Sequence, residues 1–245
     1  MSPYSLLRER YSNVLAAPPP VDTSICRVCR RDTNEFTRCY HCHRHQTDFG
    51  AEVADAVVPI SIAVKGDQLA RELWRYKNSS IERERRDFTN GLAYVLAAFL
   101  QGHETCLARA AGTDGFGVVT SVPSTRTPEP LAGILGGKVG RTSRRYATLL
   151  RSVKPNEDRL RPDSVIVVGE PAGQSVLLVD DTWTTGASLQ SAAVALRRAG
   201  ARVVAGLVVG RHFDPTHERA TAYLEKVRAR PFDWEVCALC RTGLA

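Results

Sequence analysis

Two groups of residues in this chain have the types and spacing to do chemistry. The first is Val176 to Leu189, VLLVDDTWTTGASL. Four apolar residues lead into Asp180 and Asp181, and a run of small and hydroxylated residues follows: Thr182, Thr184, Thr185, Gly186, Ala187 and Ser188. The pattern reads as a buried strand that ends in a polar turn and feeds a helix running to Gly200. A helix start offers unpaired N–H groups and the positive end of a dipole, and small turn residues let an anion approach, so phosphate is the expected ligand. Carboxylates repel phosphate, so Asp180 and Asp181 must face something else, either sugar hydroxyls or a phosphate-bound metal ion.

The second group is Cys26-Arg-Val-Cys29 and Cys39-Tyr-His-Cys42, two C-x-x-C pairs separated by nine residues. Each pair forms a knuckle with two thiolates on one side, and two knuckles complete a tetrahedral zinc site with no open position, hence a structural one. His41, His43 and His45 interleave with these cysteines. One could replace a thiolate, but exposed polar histidines on a small finger are the simpler expectation. A third pair, Cys237-Ala-Leu-Cys240, lies near the C-terminus and supplies second candidate zinc ligands. It could use the spare histidines or join an N-terminal knuckle. The local four-cysteine site is preferred because it closes the shorter loop. Cys106, alone in an apolar stretch, reads as a core residue.

Phosphate, sugar and Mg²⁺ together describe 5-phosphoribosyl-1-pyrophosphate (PRPP). The segment resembles the PRPP loop of type I phosphoribosyltransferases: an apolar strand, two acids, then Thr-Thr-Gly-small-Thr/Ser. That resemblance implies a doubly wound α/β fold, a parallel sheet flanked by helices, with Asp180 and Asp181 on the ribose hydroxyls and metal and Thr184 to Ser188 around the 5′-phosphate. It also implies displacement at C1 of the ribose through an oxocarbenium-like state, with pyrophosphate leaving. The strand-to-loop junction Ser121-Val122-Pro123-Ser124-Thr125-Arg126 resembles the pyrophosphate loop of that class, and Lys77 and Lys138 are further candidate cations. With the cysteine finger, Arg75-Tyr76-Lys77 and Val122-Pro123, the chain resembles the ComF-like, competence-associated branch over residues 24–210. It departs from that branch in lacking its Arg-Gly-Phe-Asn-Gln stretch and in carrying Cys237 and Cys240. The acceptor is therefore an unidentified base or amine. Two other readings remain: a non-catalytic PRPP or nucleotide sensor, and a DNA-handling accessory protein.

The elements that must position these residues are legible in outline. With 245 residues and 43% apolar content, the chain can form one large α/β domain with an appendage. The divisions expected are a helix and proline linker (1–20), a finger (21–50), an α/β domain (51–213) and a C-terminal extension (214–245). Predicted strands are Ala56 to Val64, with Pro59 marking an edge, Phe116 to Ser121, Ser164 to Val168, Val176 to Asp180 and Val203 to Val209. Helices are expected within 1–17, from Gln68 to Lys77, from Glu82 to Gln101 and over 216–229. Gly136 to Arg151, glycine-led and basic, reads either as a mobile lid or as a helix with a basic face. The net charge of +7 suits a polyphosphate or nucleic acid. Aromatic content of 7%, without an interleaved basic-aromatic strand, disfavours single-strand binding. No apolar run reaches the roughly 18 residues of a membrane span, and a cytoplasmic protein is expected. The oligomeric state stays open, a dimer included.

Overall fold

A computed structural model describes residues 3–124, 129–154, 159–216 and 220–240. Its centre is a four-stranded, all-parallel sheet in the order β1-β6-β5-β2. The strands are β1 (Ala56–Val64), β2 (Val118–Ser121), β5 (Ser175–Trp183) and β6 (Val203–Phe213). A two-stranded antiparallel ribbon, β3 (Leu150–Ser152) with β4 (Val165–Val167), forms a second sheet, and its Leu150 and Val165 pack in one cluster with Val176 and Leu178 of β5. The parallel strands are buried on both faces, which is why β1 and β6 read as continuous apolar runs. Among the described residues β1 pairs only with β6, so Pro59 sits on an edge strand, as its missing N–H requires.

Alternate residues of each strand serve opposite layers. Leu177 and Val179 of β5, with Leu207 and Val209 of β6, pack on one side with α3 (Gln68–Asn78), α4 (Glu82–Ala110) and α5 (Pro130–Gly137). Leu178 and Val208 face the other way, onto α7 (Ala187–Arg198) and the four N-terminal cysteines. The architecture is thus a parallel sheet wound on both faces, as expected. α8 (Ala220–Arg228) packs Tyr223 and Val227 beyond the end of β6.

α4 is longer than the sequence suggested. Its buried stripe, Leu92, Leu96, Phe99, Leu100, His103 and Leu107, continues past Gly102, which does not stop it. Gly91 within α4 has a packing reason: a Cβ there would lie 1.8 Å from the Tyr11 hydroxyl. That close approach lets Tyr11, on α1 (Pro3–Val14), reach across to Glu72 Oε2 at 2.7 Å.

The segment from Gly136 to Arg151 is anchored. After α5 it forms α6 (Gly140–Ser143), with Val139 and Thr142 fully buried. Arg145 pairs with Glu104 and donates to the Phe116 carbonyl at 2.7 Å. Among the described residues no helix is long and apolar enough to cross a membrane.

Candidate functional site

β5 is longer than the predicted strand and carries both acids within it, Asp180 opposite Val208 of β6. The chain then turns through Thr184, Thr185 and Gly186 into α7. Gly186 is required twice: its φ is 85°, and a Cβ would come within 2.1 Å of the Trp183 ring. Thr185 Oγ1 accepts from the Ala187 N–H at 3.3 Å, and Thr184 and Ser188 remain solvent-accessible around the turn.

The connection after β5 runs to α7 on one face, whereas the connection after β2 runs to α5 on the other. Such divergence opens a crevice at the carboxyl ends of adjacent strands. Here the crevice is a cleft of about 440 Å³ lined by Asp180, Asp181, Thr182, Thr184, Ser188 and Ser124, among others. A second cleft of about 690 Å³, between α3 and the end of β1, shares Lys77, Asp181, Thr182 and Thr184 with it.

The two acids differ. Asp181 is buried and accepts from Tyr76 Oη and Lys77 Nζ, both from α3. Asp180 faces the cleft. Burial first, and the Asp181 charge second, push its carboxyl up to about 7 against the pull of Lys77. A carboxyl held up in this way is one that a cation or a hydroxyl donor would favour ionising. Adjacent Asp oxygens at an open cleft therefore fit a metal-bound sugar phosphate.

Of the candidate pyrophosphate residues, Ser124 lines the cleft and its N–H donates to Glu129 Oε1 at 3.1 Å. Thr125 and Arg126 lie outside the described residues. Lys77 reaches the site. Lys138 does not line the cleft; it stands at the end of α5 and donates to Asn90 Oδ1 at 3.1 Å. The sequence reading missed Glu129, which braces Ser121 and Ser124, and it gave no role to Tyr76.

The four N-terminal cysteines converge: their sulfurs lie within 4.8 Å of one another, all buried, with Cys29 and Cys39 at 3.7 Å. Hydrogen bonds from the neighbouring sulfurs, Cys26 first, draw the Cys29 thiol well below its usual value and push Cys42 well above it. Two buried guanidiniums test the fit to a metal. Arg211 feels the charges of Cys29 and Cys39, and Arg30 those of Cys26 and Cys29. Arg30 Nε and Nη1 and Arg211 Nε find no hydrogen-bond partner. Buried, under-satisfied cations are costly unless an anion faces them, and a zinc ion with four thiolates is a dianion. The donor set fits structural zinc.

His45 departs from expectation. It lies three residues after Cys42 on α2 (Tyr40–Phe49), shares that helix's inward face, and is buried. Burial lowers it to about 4. Cys237 and Cys240 approach neither the N-terminal knuckles nor their histidines. They meet His103 and Cys106 of α4 instead, so Cys106 is not simply a core residue. The missed signal was His103-x-x-Cys106, a spacing that places both side chains on one helix face.

No family model and no curated protein matches this chain. Among solved structures, a phosphoribosyltransferase from Corynebacterium diphtheriae is similar, at 22% identity over 75% of this chain and 90% of that one, with a TM-score of 0.33. A phosphoribosylpyrophosphate synthetase from Mycobacterium smegmatis is similar at 21% identity and a TM-score of 0.33. That match covers 55% of this chain and 37% of the synthetase, so the chain spans just over a third of that protein's length.

Proposed function

We propose that this chain binds PRPP with Mg²⁺ and transfers the 5-phosphoribosyl group to a base or amine, releasing pyrophosphate. The observation that carries the reading is the meeting of Asp180, Asp181 and the Thr184–Ser188 turn at one cleft on the carboxyl edge of the sheet. The 5′-phosphate would sit in the turn at the start of α7, against backbone N–H groups and the Thr184, Thr185 and Ser188 hydroxyls. Asp180 would accept from a ribose hydroxyl or hold the metal. Asp181, fixed by Tyr76 and Lys77, would orient the other hydroxyl.

Bound Mg²⁺ would supply charge neutralisation on the leaving pyrophosphate. The chain's own contribution on that side would be Ser124 and Lys77, which line the same cleft as Thr184 and Ser188. In a displacement with oxocarbenium character, holding C1 between a fixed ribose and a stabilised leaving group does most of the work. The resemblance to the ComF-like branch, with its finger ahead of the PRPP loop, supports a zinc-bearing member of this class.

Pyrophosphate release from PRPP and Mg²⁺, measured across nucleobases and amines, tests the reading. Release that depends on one acceptor class supports transfer. Tight PRPP binding with no release for any acceptor would make the chain a sensor of PRPP instead.

A further inference from the structure

Outside the cleft and the N-terminal finger, one cluster has no role in the chemistry above. His103 and Cys106 project from the C-terminal half of α4, and Cys237 and Cys240 come from the C-terminal segment more than 130 residues later. The four donor atoms lie within 4.8 Å of one another. Cys106 and Cys240 sulfurs are 3.5 Å apart, Cys237 and Cys240 sulfurs 3.3 Å, and His103 Nδ1 is 3.5 Å from Cys240 and 3.9 Å from Cys106. With Zn–S near 2.3 Å and Zn–N near 2.0 Å, a tetrahedron has edges of about 3.5–3.8 Å. The cluster already has that size.

The surroundings are those of a metal site. His103 Nε2 is 2.8 Å from the Trp234 carbonyl oxygen, so it carries the proton and leaves the Nδ1 lone pair facing the sulfurs. Phe99 packs on the ring at 5.1 Å. The Leu239 N–H donates to Cys237 Sγ at 3.3 Å and the Cys237 N–H to Cys240 Sγ at 3.5 Å, the backbone support a C-x-x-C knuckle gives to thiolates. All three cysteines are free.

We propose that His103, Cys106, Cys237 and Cys240 bind a second structural zinc ion, which fastens the C-terminal segment onto α4. Binding releases the three thiol protons and leaves a complex of net charge −1, with no change in oxidation state. The segment it holds is not peripheral. Trp234, Cys237 and Ala238 belong to the main core, and the Ala238 carbonyl accepts from Arg30 Nη2 at 2.9 Å. Arg30 is the buried guanidinium beside Cys26 and Cys29. The second ion therefore fixes the carbonyl that orients a counter-charge of the first, and the two chain ends and α4 become one rigid unit.

Native mass spectrometry of the full chain, purified with reductant, reads this directly. Two zinc ions per chain are expected in the wild type and one in Cys237→Ser/Cys240→Ser. His103→Ala should also fall to one, and His103→Cys should keep two. Cobalt substitution gives a second readout, taken on the wild type itself. The wild type should titrate with two Co²⁺ per chain, and His103→Cys should add sulfur-to-cobalt absorbance without changing that number. A wild type that holds one ion, a cysteine variant that keeps two, or a Cys237–Cys240 or Cys106–Cys240 disulfide in the reduced preparation would each overturn the proposal. PRPP binding is read separately, so its outcome is independent of this one.

Discussion

Arg211 joins the cysteine centre to the turn ahead of α7. Its Nη1 donates to the Trp183 carbonyl oxygen at 3.0 Å, and the same buried guanidinium lies in the field of the Cys29 and Cys39 sulfurs. Trp183 in turn lies under Gly186. The finger is thus connected to the candidate PRPP turn through one buried side chain. Removing the charge in Arg211→Met leaves the thiolates with Arg30 as their remaining buried counter-charge, and breaking a buried pair in this way costs roughly 3–5 kcal/mol. Zinc affinity, measured by chelator competition, should fall by roughly 10- to 100-fold, the usual loss for an outer-shell partner of a metal site. Arg211→Lys should lie between the two.

Gly186→Ala meets both a positive φ and the Trp183 ring. The expected cost is at least 1–3 kcal/mol in urea unfolding, from backbone strain alone. PRPP affinity should fall with it, because the turn must move to admit the methyl group.

Asp180 gives a pH dependence with a definite sign. Its folded value, about 7, lies above the ordinary 3.8, so the folded chain binds more protons than the unfolded one between those values. Stability therefore declines as pH rises from about 4 to about 7 and is level beyond. Asp180→Asn removes the burdened charge. Relative to wild type, its thermal midpoint should be higher at pH 8 than at pH 5. A constant difference across that range would mean that Asp180 ionises freely.

Tyr76→Phe tests the support of Asp181. The fold should survive, since Tyr76 keeps its ring in the core, but Asp181 loses its hydroxyl donor. A buried carboxylate left with one fewer partner is expected to weaken PRPP binding by roughly 10-fold, about 1.4 kcal/mol, within the range for hydrogen bonds to charged groups. Titration calorimetry on the two proteins checks this.

The sequence was most legible where spacing is local. Strand β1 and its edge position, α3, α7 and the two N-terminal knuckles follow from periodicity, Pro59 and C-x-x-C turns. Relationships across the fold were not. Nothing in the sequence neighbourhood of Cys237 points to His103, because the contact spans more than 130 residues. Strand ends were also underestimated: β5 and β6 run on through Trp183 and Phe213, where polar residues such as Asp181, Thr182 and Arg211 look like loop. Those residues stay in strand because they face the cleft, α3 or the cysteine centre, each of which gives them partners. The basic segment after Gly136 read by composition as either a lid or a helix with a basic face, and Val139, Thr142 and Arg145 anchor it to the core.

In the proposed function, Asp180, Asp181 and the turn that follows hold PRPP. The most direct measurement is PRPP affinity with Mg²⁺ in the wild type and in Asp180→Asn/Asp181→Asn, on protein whose zinc content and thermal midpoint show it folded. Saturable binding is expected in the wild type and a loss of at least roughly 100-fold in the variant, about 2.7 kcal/mol for two carboxylate contacts. Equal affinity in the two proteins would contradict that function.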